Sequence, residues 1–363
     1  MNRYKEVTKC CRIDAQWGRA DMSWTHPKYS RKQVARAGSI LAGQIDTPLL
    51  AGQPDPLDVL DNWRASHNFP LNTFQIGLRN RSREFDKEAL VAQRLKRIPS
   101  IVRKLQRFPG MNLARMQDIG GCRAVLSTVE HVDNVVDSFL ESRVKHTLVS
   151  KKDYIREPKD SGYRGVHLIY RYKSDKNTTY NELQVEMQIR SRIQHCWATA
   201  VETVGTFLSQ SLKSSEGEDQ WLEFFSLTSS AFAFKEGTQP LNGHHDRKQV
   251  IKDVLRFKAQ LAVVEKLGSY GHALRTIEDS TTTDAYYLMV LRPGAGTLEI
   301  TGYARTHLER ATQDYITAER RVAEEVGSEA VLVKTESLVA LRSAYPNYFL
   351  DTQRFLHELQ EIY

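Results

Sequence analysis

The sequence predicts an α+β protein, with a mixed sheet flanked by helices, a helical N-terminal segment and a small C-terminal α/β domain. Three observations carry this. Between residues 117 and 208, apolar runs of strand length alternate with amphipathic stretches of helical period. A second strand–turn–strand signal spans 285–303, around Pro293-Gly294-Ala295-Gly296, after a long charged helix. Ahead of the first strands, Ser30 and Pro56 each open a stretch with helical spacing of apolar residues. The expected organisation is a helical segment over 1–84, the main domain over 85–235, a connector over 236–284 and the C-terminal domain over 285–363.

Taken in order, residues 1–30 carry no clear period. Helices are expected from Ser30, with Val34, Ala37, Ile40 and Leu41 inward, over 56–67, from about 74 to 79 or beyond, and over 86–97. Pro99 suits the start of a fresh helix carrying Ser100, Arg103, Lys104 and Arg107. Strand is expected over 117–127, helix over 129–142, then strands over 144–148, 165–172 and 182–190. Helices follow over 192–208 and 221–234, separated by a polar, acidic loop at 213–219. The amphipathic stretch 247–267 reads as the connector. In the last domain, strands at 285–291, 297–303 and 330–334 surround a helix over 306–326; a short helix at 337–343, a turn at 345–348 and a final helix at 349–362 complete it.

Composition bounds the function. At 363 residues, 40% hydrophobic and 26% charged, the chain is an ordinary globular one. Its net charge of +7 suits a polyanionic partner. Cys10, Cys11, Cys122 and Cys196 have neither a disulfide-framework nor a zinc-site spacing, which points to a reducing compartment. No apolar run reaches the ~18–20 residues of a membrane span, and no signal sequence is visible. A cytoplasmic monomer without membrane or DNA partners is expected.

The densest chemistry lies in Lys151–His167, KKDYIREPKDSGYRGVH. Pro158 and Gly162 make it a loop or hairpin. Its cations suit phosphate oxygens and its tyrosines suit a base, although a solvated basic hairpin has the same composition. Asp118 and Glu186 each stand as single carboxylates in apolar stretches expected to be strands. Such a carboxylate needs compensation, from a salt bridge (Arg123 and Arg190 are at hand) or from a metal ion.

Four segments in order settle the choice by resemblance: Arg94-Leu-Lys-Arg-Ile-Pro-Ser-Ile-Val-Arg-Lys104, Asp118-Ile-Gly-Gly-Cys-Arg123, the Lys152–His167 loop, and Glu186-Met-Gln-Ile-Arg190. Together they resemble the synthetase domain of the RelA/SpoT family, over about residues 85–205. The resemblance implies a nucleotidyltransferase-like mixed sheet and pyrophosphate transfer from ATP, with Mg²⁺ held by Asp118 and Glu186 and with Glu186 as general base. It assigns Arg94, Lys96, Ser100, Lys104 and Arg123 to ATP. It assigns Lys152, Lys159, Tyr163, His167, Gln188 and Arg190 to the acceptor, with Tyr163 stacking on its base. Ser161 stands where some relatives carry asparagine. His244-His245-Asp246 has no partner histidine placed for the family's hydrolase domain, and the zinc-finger cysteines are missing.

The extra C-terminal domain is similar to the cysteine-free pseudo-zinc-finger of CapRel-type fused toxin–antitoxin proteins. That similarity implies a phage-defence toxin that pyrophosphorylates the 3′ CCA end of tRNA and blocks translation. It also implies autoinhibition through the Tyr345–Tyr348 turn over the ATP site, released by a phage capsid protein. A synthetase of guanosine alarmones from GTP or GDP, and a non-catalytic sensing module, are the alternatives.

Overall fold

The computed structural model describes residues 24–45, 52–96, 98–208, 216–270, 285–292, 297–322, 325, 328–334 and 348–362. Three helices come first. α1 (Arg31–Leu41) starts in a reciprocal cap between Ser30 and Gln33. α2 (Pro56–Ser66) starts with Asp55 as cap and Pro56 in its first turn. α3 (Asn68–Phe85) starts six residues before the Phe74 expected to open it and runs on past Arg79.

Five strands form the first sheet: β1 (Leu90–Leu95), β2 (Gly120–Leu126), β3 (Thr147–Asp153), β4 (Val166–Arg171) and β5 (Gln184–Ser191), in the order β1-β2-β5-β4-β3. β2 and β5 are parallel and the other pairs antiparallel. Two further helices lie in this region, α4 (Ile98–Arg107) and α5 (Val129–Leu140). Side chains alternate between the faces of a strand, so each face is a separate set. On one face Cys122, Ala124, Val185, Met187, Leu168 and Tyr170 pack with α2, α3 and α5 into one core. The register leaves Arg94, Gly121 and Glu186 in one row of the other face and Ala92, Arg123, Gln188 and His167 in the next.

A helical layer follows: α6 (Arg192–Leu208), α7 (Glu216–Glu236), α8 (Arg247–Gln260) and α9 (residues 263–270). A second, three-stranded sheet has the order β7-β6-β8, from β6 (Tyr286–Arg292), β7 (Thr297–Tyr303) and β8 (Glu329–Lys334), with α10 (Leu308–Val322) packed on it. The last helix, α11 (Tyr348–Gln360), returns to α6. Its Phe355, Leu356 and Leu359 are buried in one core with Cys196 and Trp197 of α6 and Phe224 and Phe225 of α7.

Several expectations are corrected. Residues 86–97 hold β1, not a helix. Asp86 accepts hydrogen bonds from the Ser127 backbone N–H (2.7 Å) and hydroxyl (2.8 Å), which ties the start of β1 to the end of β2. The chain then lies along β2, and pairing overrides local helix preference. Asp118 precedes β2 instead of lying within it, and Lys151 and Lys152 belong to β3, past a bulge at Leu148/Ser150. Residues 216–219 are the first turn of α7, not a loop. The stretch 247–267 is interrupted at Leu261–Ala262, where Ala262 has φ +48°. Val250, Val254, Phe257, Val263 and Leu267 are buried, so this connector stretch is itself a packed layer. Asp246 caps α8, which gives the His-His-Asp run a structural role. The expected elements at 337–343 and 345–347 lie outside the described residues, as do residues 1–23.

Candidate active site

The loop between β3 and β4 is held rigidly from below. Gly162 has φ +87°, and a Cβ there would lie 2.8 Å from Ser229 Cβ and 3.0 Å from Trp197 Cζ2. Ser229 of α7 donates its hydroxyl to the Gly162 carbonyl at 2.6 Å and accepts from the buried Arg164 at 3.0 Å. The loop thus sits on the helical layer and projects its cations over the open face of the sheet.

That face floors a pocket of about 710 Å³. Of the residues expected to bind ATP, Arg94, Lys96, Lys104 and Arg123 line it and Ser100 does not. Of the acceptor set, Lys152, Lys159, His167 and Gln188 line it, while Tyr163 and Arg190 stand behind them. Both carboxylates, Asp118 and Glu186, are in its wall.

Asp118 Oδ2 accepts from Lys96 Nζ and Lys104 Nζ, each at 2.9 Å. Its compensating cations are therefore these lysines, where the sequence suggested Arg123. Burial alone would raise the Asp118 pKa, but the two lysine charges and hydrogen bonds outweigh it and hold the carboxyl below its usual range. Oδ1 is buried and has no hydrogen-bond partner among the described residues. An acceptor-only oxygen that points away from both lysines fits a hard divalent ion. No group of three or more His, Cys, Asp or Glu arranged for a metal is found among the described residues. A Mg²⁺ ion completed by nucleotide phosphates needs only one or two protein carboxylates, so the donor set fits.

Glu186 does not pair with Arg190. Its Oε1 faces His167 Nδ1 at 3.0 Å and its Oε2 accepts from Gln188 Nε2 at 2.7 Å. His167 Nε2 lies 2.6 Å from the Tyr163 hydroxyl; with Nδ1–H given to Glu186, a neutral ring accepts there and a protonated ring donates. The row ends at Arg190, which donates from Nη2 to Gln188 at 3.1 Å. Nε and Nη1 of this buried guanidinium find no hydrogen-bond partner among the described residues. Burial would raise the Glu186 pKa, but hydrogen bonds from His167 and Gln188, with the His167 and Lys104 charges, bring it down to about 2. Folding therefore favours the ionised form. This stabilisation is complete above the ordinary glutamate range and is lost as pH falls through it toward 2. Between pH 5 and pH 2, acid denaturation should cost the parent protein on the order of 3 kcal/mol that Glu186→Gln does not lose. Denaturant midpoints at stepped pH measure this, and parallel curves would show that Glu186 has no such linkage.

Tyr154 was not singled out in the sequence, yet it lines the pocket with Lys159 Nζ 4.5 Å from its ring centre. Lys159 also lies 5.1 Å from the Tyr163 ring, so both tyrosines steady this cation. Its place in the Lys-Asp-Tyr-Ile run of the loop was the available signal. Arg115, Gln117, His195 of α6 and Asp351 of α11 also line the pocket and were missed. Asp351 carries no local motif and is far from Glu186 in sequence. Of the two tyrosines expected to cover the ATP site, Tyr345 lies outside the described residues. Tyr348 opens α11, one turn before Asp351.

A mixed sheet whose polar face joins two carboxylates to converging lysines and arginines defines a site for polyphosphate chemistry. Residues 93–205 match the family described as "Region found in RelA / SpoT proteins", so this part of the chain is a RelA/SpoT domain. The chain is 36% identical over 111 residues to the GTP pyrophosphokinase YjbM of Bacillus subtilis (strain 168), covering 30% of this chain and 52% of that protein. It is 33% identical over 112 residues to YwaC, another GTP pyrophosphokinase of that organism, covering 29% of this chain and 52% of that one. The chain thus spans about half the length of these curated relatives. Among solved structures, it is similar to the small alarmone synthetase 1 of Bacillus subtilis, with 26% identity and a TM-score of 0.40 over 47% of this chain and 90% of that one.

Proposed function

We propose that this protein is an ATP-dependent pyrophosphokinase. The observation that carries the reading is the pairing of Asp118 with Lys96 and Lys104 beside the Glu186–His167 pair, within a RelA/SpoT domain. The transfer joins an acceptor hydroxyl oxygen to the β-phosphorus of ATP, breaks the bond from that phosphorus to the α–β bridging oxygen, and releases AMP. Lys96, Lys104, Arg94 and Arg123 hold the triphosphate and balance its charge. Mg²⁺, held by Asp118 and Glu186 together with phosphate oxygens, would supply Lewis-acid stabilisation of the charge that develops there. Phosphates that engage Lys104 withdraw its charge from Glu186 and add negative charge nearby. Both effects raise the affinity of Glu186 for the proton leaving the acceptor hydroxyl. His167 orients that carboxylate, and Lys152 and Lys159 face the acceptor's own phosphates.

The acceptor that the named relatives support is a guanine nucleotide, with GTP or GDP receiving the pyrophosphate at a ribose hydroxyl. A second reading is favoured by one observation: the chain carries an additional sheet and helices beyond the matched region, from Tyr286 to Gln360. In that reading the acceptor is the 3′ CCA end of tRNA, the C-terminal part restrains the enzyme, and a phage capsid protein releases it. Incubation with [β-³²P]ATP and either GDP or deacylated tRNA, with and without purified capsid protein, tests both. Label in GDP alone supports the first and label in tRNA the second. Label in neither acceptor under any of these conditions would sink the pyrophosphokinase reading.

A further inference from the structure

We propose that Asp351, on the C-terminal helix, reads the base of the bound donor nucleotide by accepting a hydrogen bond from its exocyclic amine. This rests on the reading above, in which ATP is the donor. Asp118, Lys96 and Lys104 meet at the Gly121 end of β2 and fix where the phosphates go. Val125 lies four residues further along the same strand, about 13 Å away at the rise of a β-strand. That distance is on the order of the separation between the terminal phosphates and the base in an extended nucleoside triphosphate. The far end of the pocket is lined by Leu90, Ala92 and Val125, a surface suited to a flat base. Two polar side chains from the helical layer also line the pocket, His195 and Asp351. α6 starts at Arg192, just after the Arg190 that pairs with Val125, so His195 in its first turn and Asp351 beside it belong to this end.

His195 Nε2 stands 3.1 Å from Asp351 Oδ2. Burial lowers the His195 pKa, and although Asp351 raises it in part, Arg190 and Arg123 act in the same direction as burial and it settles at about 4. At neutral pH the imidazole is therefore uncharged, and its ring stands beside the Asp351 carboxylate, whose buried Oδ2 has no hydrogen-bond partner among the described residues; packing against this ring makes His195 a positioning residue for the carboxylate. An ionised carboxylate only accepts hydrogen bonds. It repels phosphate, so it selects the orientation with the base at this end. It also fits the amine of adenine and opposes the carbonyl that hypoxanthine carries at the same position. Phe355 and Leu359, on the same helix, are fully buried with residues of α6 and α7 and hold Asp351 at the pocket. The C-terminal helix is thus a wall of the nucleotide pocket.

The test measures dissociation constants of the full chain for non-hydrolysable analogues of ATP and inosine triphosphate, and for inorganic tripolyphosphate. The parent should prefer the adenine analogue by about tenfold or more, as expected for a hydrogen bond to a charged group. Asp351→Ala should lose that preference while its tripolyphosphate affinity stays within twofold. Asp351→Asn, which keeps the shape and one acceptor oxygen, should retain part of the preference and guards against a folding defect in the alanine variant. Undiminished preference in Asp351→Ala overturns the proposal and leaves the pyrophosphokinase reading standing. Tighter ATP binding in Asp351→Ala overturns it too, by showing that the carboxylate only opposes the nucleotide's charge. A parent protein that binds none of the three ligands removes both readings.

Discussion

Glu186→Gln is expected to fold as the parent does and to transfer pyrophosphate at least about 10³-fold more slowly, by the magnitudes seen when a catalytic acid–base group is removed together with a metal contact. The amide is nearly isosteric, and Gln188 can still engage the remaining carbonyl oxygen. What disappears is the negative charge that holds His167 and receives the acceptor proton. Binding of an ATP analogue should change by less than about tenfold, since Lys96, Lys104, Arg94 and Arg123 are untouched. Single-turnover transfer and equilibrium binding, measured on the same preparation, separate the two quantities. A variant that keeps more than a tenth of the parent rate would show that Glu186 is neither base nor metal ligand.

Asp118→Asn has the second largest expected effect, and its signature differs. The Lys96–Asp118–Lys104 bridge is partly exposed, at 19–30% of side-chain area. Its loss should therefore cost only about 1 kcal/mol of stability. Turnover should fall by at least about 10²-fold, because the buried Oδ1 no longer offers a full charge to a divalent ion. Metal-free ATP, by contrast, should bind several-fold more tightly, since two lysines released from their carboxylate are left to the phosphates. Calorimetric titration with ATP in chelator and in excess Mg²⁺ reads both changes. Tightening by Mg²⁺ that is undiminished in the variant would place the metal elsewhere.

Much of this site could be read in the sequence because its chemistry is concentrated in short runs. Arg94 and Lys96, the Asp118–Arg123 run, the 151–167 loop and the Glu186–Arg190 strand each bring several site residues within one element. Strand register then aligns Gly121 with Glu186 and Arg123 with Gln188, as two apolar parallel strands allow. Partner choice was not legible. Asp118 chose two lysines over a nearby arginine because the turn before β2 faces α4, and Glu186 chose His167 because β4 pairs beside β5. β1 was misread because its exposed side chains show no alternation, and its strand character comes from the Asp86–Ser127 tie and from β2. The packing of the 247–267 connector was not legible, because charged residues cover its outer face and its inner face is understood only once α7 is in place. Asp351 was beyond reach, because nothing local distinguishes an aspartate in the first turn of a helix from an ordinary favourable charge at that position.

The return of the C-terminal helix to α6 also sets a timetable. On the ribosome, Asp351 is added 257 residues after Arg94, a delay of about 13–50 s at ordinary elongation rates. Until it ends, β1, β2 as it is added, and Lys96 and Lys104 between them stand on the nascent chain without the helix that walls the far end of the pocket, and from their own later synthesis onward the apolar faces of α6 and α7 wait uncovered. The pocket is therefore completed late in synthesis, by a long-range contact of the kind that slows folding.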